Sequence, residues 1–125
     1  KATNLHTAAT LIETAIRDEK PQLVVLPEYF AFLDDDRNAM HASAETFPGG
    51  ETWSFLSQTA ARHGVTLHAG SIVEKEGEDF FNTSLVLGRT DNKSHVTARS
   101  TFLMSRHLKA LSTASQTPSV VARML

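Results

Sequence analysis

Leu5, Ala8, Ile12, Ala15 and Ile16 fall at spacings of three and four. That is the period of a helix with one apolar face, and it predicts a helix over Asn4–Glu19. Lys20-Pro21 ends it, because the residue before proline avoids the helical region. The pattern then changes abruptly. Leu23-Val24-Val25-Leu26 is unbroken apolar chain, and Pro27 closes it. A short apolar run between breakers reads as a strand buried on both faces, here Gln22–Leu26. Proline has no N–H to give a ladder, so the strand ends there.

A helix that feeds directly into a fully apolar strand is half of a β-α-β unit. The strand expected ahead of the helix is missing, and the chain opens on Lys1 rather than methionine. Both features point to an incomplete start. Residues Ala31–Gly50 read as a long loop with an acidic triplet, Asp34-Asp35-Asp36, taken as solvated. A second helix is predicted over Glu51–His63, with Trp53, Leu56 and Ala60 on one face and Gly64 at a left-handed cap position. Val65–Val73 reads as a strand in which Gly70 and Ser71 mark a close backbone approach. Glu74–Asp79 is a charged turn, Phe80–Leu87 the next strand, and Gly88–Lys93 another turn. The two strands and their short connector predict an antiparallel hairpin.

Composition narrows the possibilities. The 125 residues are enough for one domain, with 41% apolar residues and a net charge of −2. No basic patch favours nucleic acid, and no apolar run is long enough for a membrane span. No segment resembles a signal peptide, so the expected location is the cytoplasm. With no cysteine, the chain has no disulfide, no thiolate metal site and no cysteine nucleophile of its own. The six histidines show no metal-ligand spacing and read as ordinary surface or core residues. Asn82-Thr83-Ser84 matches a glycosylation sequon, but a strand position and the lack of a secretory signal make it a chance match.

The candidate chemistry lies just past the apolar strand. In α/β sheets, sites sit beyond the carboxyl ends of strands, and Glu28 occupies that place. From spacing alone, Glu28 is either a solvated loop carboxylate or a catalytic acid or base. No Gly-rich phosphate loop follows the strand, which disfavours a nucleotide-binding unit.

The order of motifs decides between them. LPEYF after an apolar strand, PGGETWSFLSQTAARHGVTLHAGSIVE and the strand NTSLVLG together resemble the amino-terminal part of the nitrilase, or carbon–nitrogen hydrolase, superfamily over residues 1 to 93. The resemblance implies an α/β fold, a partial α-β-β-α sandwich. It also implies hydrolysis of a non-peptide C–N bond in a small amide or nitrile. The family works through a Glu, a Lys and a Cys, by way of a thioester and without metal or organic cofactor. By the same resemblance Glu28 is the general base, and Tyr29 and Phe30 suggest an aromatic wall for the substrate. No nucleic-acid or membrane partner is implied, and the family is usually homo-oligomeric.

From Ser94 the resemblance stops. The family continues with a segment like YRKIHLFDVE, whose Lys is catalytic. This chain has SHVTARSTFLMSRHLKALSTASQTPSVVARML, in which Arg99 and Lys109 sit in no matching motif. Residues 94–125 are therefore expected to be an irregular, disordered tail outside the family domain. A shifted reading frame would account for it: Val96-Thr97 as GTT ACC contains TAC, a Tyr codon, and the same shift continued through Arg106 permits the rest of the family segment; a diverged or exchanged terminus is the alternative. On this reading the chain keeps Glu28 alone of the three catalytic residues and is inactive as it stands. The alternative is a non-catalytic module that associates with an intact homologue.

Overall fold

The structure is a computed structural model and describes residues 1–90 and 93–106. Helix α1 runs over Ala2–Glu19 and ends on Lys20 in the left-handed conformation, φ 49°. Strand β1 is Leu23–Val25. A short helix, α2, spans Arg37–Ala42, followed by helix α3 over Gly50–His63. Strands β2, Thr66–His68, β3, Ile72–Glu76, β4, Asp79–Thr90, and β5, Lys93–Arg106, complete the order.

The turns expected over Glu74–Asp79 and Gly88–Lys93 are shorter, because ladder pairing continues to Glu76 with Asp79 and to Thr90 with Lys93. The expected helices and strands are present, with three further differences. The loop Ala31–Gly50 contains α2, because the Asp36 side chain accepts the Asn38 N–H at 2.9 Å and caps its first turn. The single strand expected over Val65–Val73 is two, split at Gly70 and Ser71. Third, the irregular tail expected from Ser94 is a strand as far as Arg106, laid antiparallel along β4. Thr, Val and Phe suit a pleated strand, and β4 offers a long free edge to template it. Residues 107–125 of that tail, with Lys109, lie outside the described residues.

β1 pairs in parallel with β2, as a helical crossover requires. β2 and β3 lie end to end along one edge of β4, both antiparallel to it, and β5 takes the other edge. The predicted hairpin is thus β3–β4, with Glu76 opposite Asp79 across a turn at Gly77, φ 60°.

Side-chain alternation gives the sheet two unlike faces. One face carries Leu67, Ile72, Leu85 and Leu87, which pack with Leu5 and Ile12 of α1 and Leu56 and Ala60 of α3 in the main core. On the opposite face, register aligns Val25 with His68 and Val86, and Asn82 with Val73 and Phe102. Part of this face is covered, where Met40, Val73 and Phe80 cluster with Tyr29, Phe32 and Met104. The rest is open: Leu23, Val25 and Phe102 are 54%, 62% and 48% exposed. The central run that predicted a strand buried on both faces is therefore covered on one face only.

Glu45 ties the start of the chain to α3. Its carboxylate accepts from Lys1 Nζ at 2.8 Å, from the Thr52 N–H and from Thr52 Oγ1 at 2.7 Å. Burial pushes its pKa up, but the Lys1 and Thr52 hydrogen bonds outweigh that and hold it below the ordinary 4.5. A carboxyl lowered in the folded state stabilises the fold above its unfolded pKa. The contribution fades as pH falls through the folded value. The thermal midpoint should therefore drop below about pH 4.5, and a Glu45→Gln chain scanned calorimetrically over the same range should show a shallower acid limb.

Candidate functional site

Glu28 sits on the loop that leaves β1, and three contacts fix that loop. Leu26 N–H donates to His68 O at 2.8 Å, which carries the β1–β2 ladder one residue past the strand. Pro27 then ends pairing. Tyr29 takes a left-handed conformation, φ 50°, uncommon for a bulky residue, and turns the chain sharply. Its N–H is held by Ser71 Oγ at 3.2 Å. Finally, Gly70 passes so close beneath that a Cβ there would lie 1.9 Å from Pro27 O and 2.4 Å from Leu26 O. The close backbone approach read from Gly70 and Ser71 is thus the seat of the Pro27-Glu28-Tyr29 elbow.

The elbow delivers the Glu28 carboxylate over the partly open face of the sheet. Asn82 Nδ2, on β4, donates to Glu28 Oε1 at 2.9 Å. A carboxylate so placed can accept a proton from a donor that enters over this face. Tyr29 is half-buried, with its hydroxyl 3.9 Å from Met104 Sδ. Burial, and then the adjacent Glu28 charge, push that hydroxyl above its usual 10.0. Phe30 is half-buried too, but its ring packs on Phe55 of α3 with centroids 6.3 Å apart, a core contact. Glu28 and Tyr29 are therefore brought together, and the described contacts of Phe30 belong to the core.

Two polar groups near the site escaped sequence reading. Asn82 was visible only as part of a strand and a chance sequon, since its partner lies 54 residues away. The other group is on the helix-covered face. Glu74, 2% exposed, accepts from Thr83 Oγ1 at 2.6 Å and from Arg99 Nη2, with which it forms an ion pair. Arg99, expected to sit in no family motif, is thus the counter-ion of a buried carboxylate.

Ser84 and His68 also meet on the open face, Oγ to Nε2 at 3.4 Å. His68 Nδ1 accepts the Gly70 N–H at 3.2 Å, so a neutral ring carries its proton on Nε2, facing Ser84. That ring cannot act as a base toward Ser84, and the pair is not an activated nucleophile. Among the described residues no cluster of His, Asp or Glu is arranged to hold a metal ion. No described helix is long and apolar enough to cross a membrane.

Comparison with known proteins matches this geometry to one family. The carbon–nitrogen hydrolase model matches residues 1–119. The chain is 37% identical over 87 residues to a nitrilase of Pyrococcus abyssi, covering 68% of this chain and 32% of that protein. It is 37% identical over 94 residues to the omega-amidase NIT2 of Danio rerio, covering 70% of this chain and 31% of that protein. Among solved structures it is similar to Saccharomyces cerevisiae Nit3, a member of branch 10 of the nitrilase superfamily. There the TM-score is 0.62 at 29% identity, over 76% of this chain and 38% of that one. The chain belongs to the carbon–nitrogen hydrolase family. It spans about a third of the length of the curated relatives it matches.

Proposed function

We propose that this chain carries the general-base portion of a carbon–nitrogen hydrolase site, with Glu28 as the base. The observation that carries the reading is the elbow. It holds a carboxylate just beyond the carboxyl end of β1, within the LPE motif that the family uses for this group. In the proposed reaction the carboxylate takes the proton of a cysteine thiol, and the thiolate adds to the carbonyl carbon of a small amide, or to a nitrile carbon to give a thioimidate that takes up water. A lysine ammonium stabilises the negative charge on the tetrahedral centre, which collapses to a thioester as the C–N bond breaks and ammonia leaves with the proton the carboxylate had taken; water then cleaves the thioester to the acid and the free thiol. Tyr29 is the proposed aromatic wall of the substrate site, and Phe30 a second contributor. No metal or organic cofactor enters the scheme.

These 125 residues supply no cysteine. A base with no nucleophile to deprotonate cannot run the thioester route. The expected result is that the purified chain does not turn over a simple ω-amide at any enzyme concentration; ammonia release proportional to chain added would refute this. A second reading is favoured by the exposure of Leu23, Val25 and Phe102 on one sheet face. It makes the chain a non-catalytic module that associates with an intact homologue through that face. The two readings part in the same assay, run on chain co-expressed with a full-length relative. Association that leaves the relative's own rate per site unchanged favours the module.

A further inference from the structure

We infer that Asn82 is a positioning residue whose task is to fix the Glu28 carboxylate, an inference that rests on Glu28 being the base. Three observations converge on it. First, Asn82 lies inside β4, directly after Phe80 and Phe81, and asparagine is a poor strand residue. Such a local misfit needs a compensating role.

Second, the orientation of its amide is fixed by chemistry. An ionised carboxylate can only accept, so the atom 2.9 Å from Glu28 Oε1 must be the NH2 group. That leaves Oδ1 on the inner side, where it is buried with no hydrogen-bond partner. A buried acceptor without a donor costs stability. Rotating the amide would bring its oxygen against the carboxylate, oxygen to oxygen, which is worse. The side chain therefore keeps an internal deficit in exchange for one bond, and that bond goes to Glu28.

Third, nothing else restrains the carboxylate in the same way. Pro27, Ser71 and Gly70 fix the backbone of the elbow, but they leave the Glu28 side chain its own rotamers. Among the described residues Asn82 donates the one side-chain hydrogen bond to that carboxylate. It projects from β4 at a position paired on both edges, with Val73 of β3 and Phe102 of β5. The arrangement places a mobile acid under the control of a rigid element.

The experiment uses the full chain and side-chain NMR, and it does not depend on turnover. In the parent chain, one Asn82 Nδ2 proton should resonate downfield of solvated asparagine, and the three-bond couplings of Glu28 should indicate a single side-chain rotamer. In Glu28→Ala, a change at an exposed position, the downfield shift should disappear. In Asn82→Leu, which removes the unpartnered oxygen, the Glu28 couplings should become averaged while the thermal midpoint holds or rises. The inference is overturned if the Asn82 amide signals are the same in the parent and Glu28→Ala. It is equally overturned if Asn82→Leu lowers the midpoint while the Glu28 couplings stay at one rotamer, since Asn82 would then be a structural residue. Because no rate is read, either failure leaves the Glu28 base assignment to its own assay.

Discussion

The Gly70→Ala chain should unfold at a thermal midpoint lower by about 12 °C or more, a loss of about 3 kcal/mol. Two effects add. Gly70 has φ 55°, a region that costs a side chain about 1–2 kcal/mol. The new methyl would also lie 1.9 Å from Pro27 O, a backbone atom that cannot swing aside as a side chain could. Relief requires the elbow to lift, which strains the Leu26–His68 hydrogen bond and parts Tyr29 N from Ser71 Oγ. Gly77→Ala is the natural control. Its φ is 60°, nearly the same, yet a Cβ there meets nothing within 4 Å. That variant should lose only the backbone part, about 1 kcal/mol. If both variants fall equally in a thermal scan, close approach at the elbow is not what Gly70 provides.

A second large effect is expected at Arg99. Arg99→Ala leaves Glu74 buried with the Thr83 hydroxyl still donating to it but with its cation gone. Removing one member of a buried ion pair costs about 3–5 kcal/mol, because the surviving charge has no counter-ion. Denaturant midpoints should show that loss. The double variant Arg99→Ala, Glu74→Gln should recover a good part of it, because a neutral amide no longer needs the cation. Additive losses in the double variant would mean that Arg99 contributes packing against α3 rather than charge.

The Arg99 result bears on what could be read from the chain beforehand. α1, β1 and α3 were legible because their apolar residues repeat with a clear period, and each ends at a visible breaker: Pro21, Pro27 and Gly64. β5 was not legible. Its residues, Lys93–Arg106, mix charge, hydroxyls and apolar groups, and their strand state is dictated by the long edge of β4 rather than by local preference. α2 failed for a related reason: six residues give too little periodicity to register, and Asp36 looked like one acid among three rather than a cap. At the site, Glu28 could be found because it follows a strand-ending proline. Gly70 and Ser71 could be suspected because they interrupt a strand. Asn82 and Glu74 could not be placed, since each is defined by a partner that only the sheet brings near.

The connectivity of the sheet has a kinetic consequence. β3, β4 and β5 follow one another closely along the chain, so their pairings close short loops and should form early. β1 reaches β2 only after α2 and α3 have been traversed, and that closure fixes a much longer stretch of chain. Glu28 rides on β1, whereas Asn82 rides on β4. The carboxylate and the amide that holds it thus belong to two folding units, one local and one dependent on the crossover. Their hydrogen bond is a late-forming contact, completed when the crossover strand docks on a meander already in place.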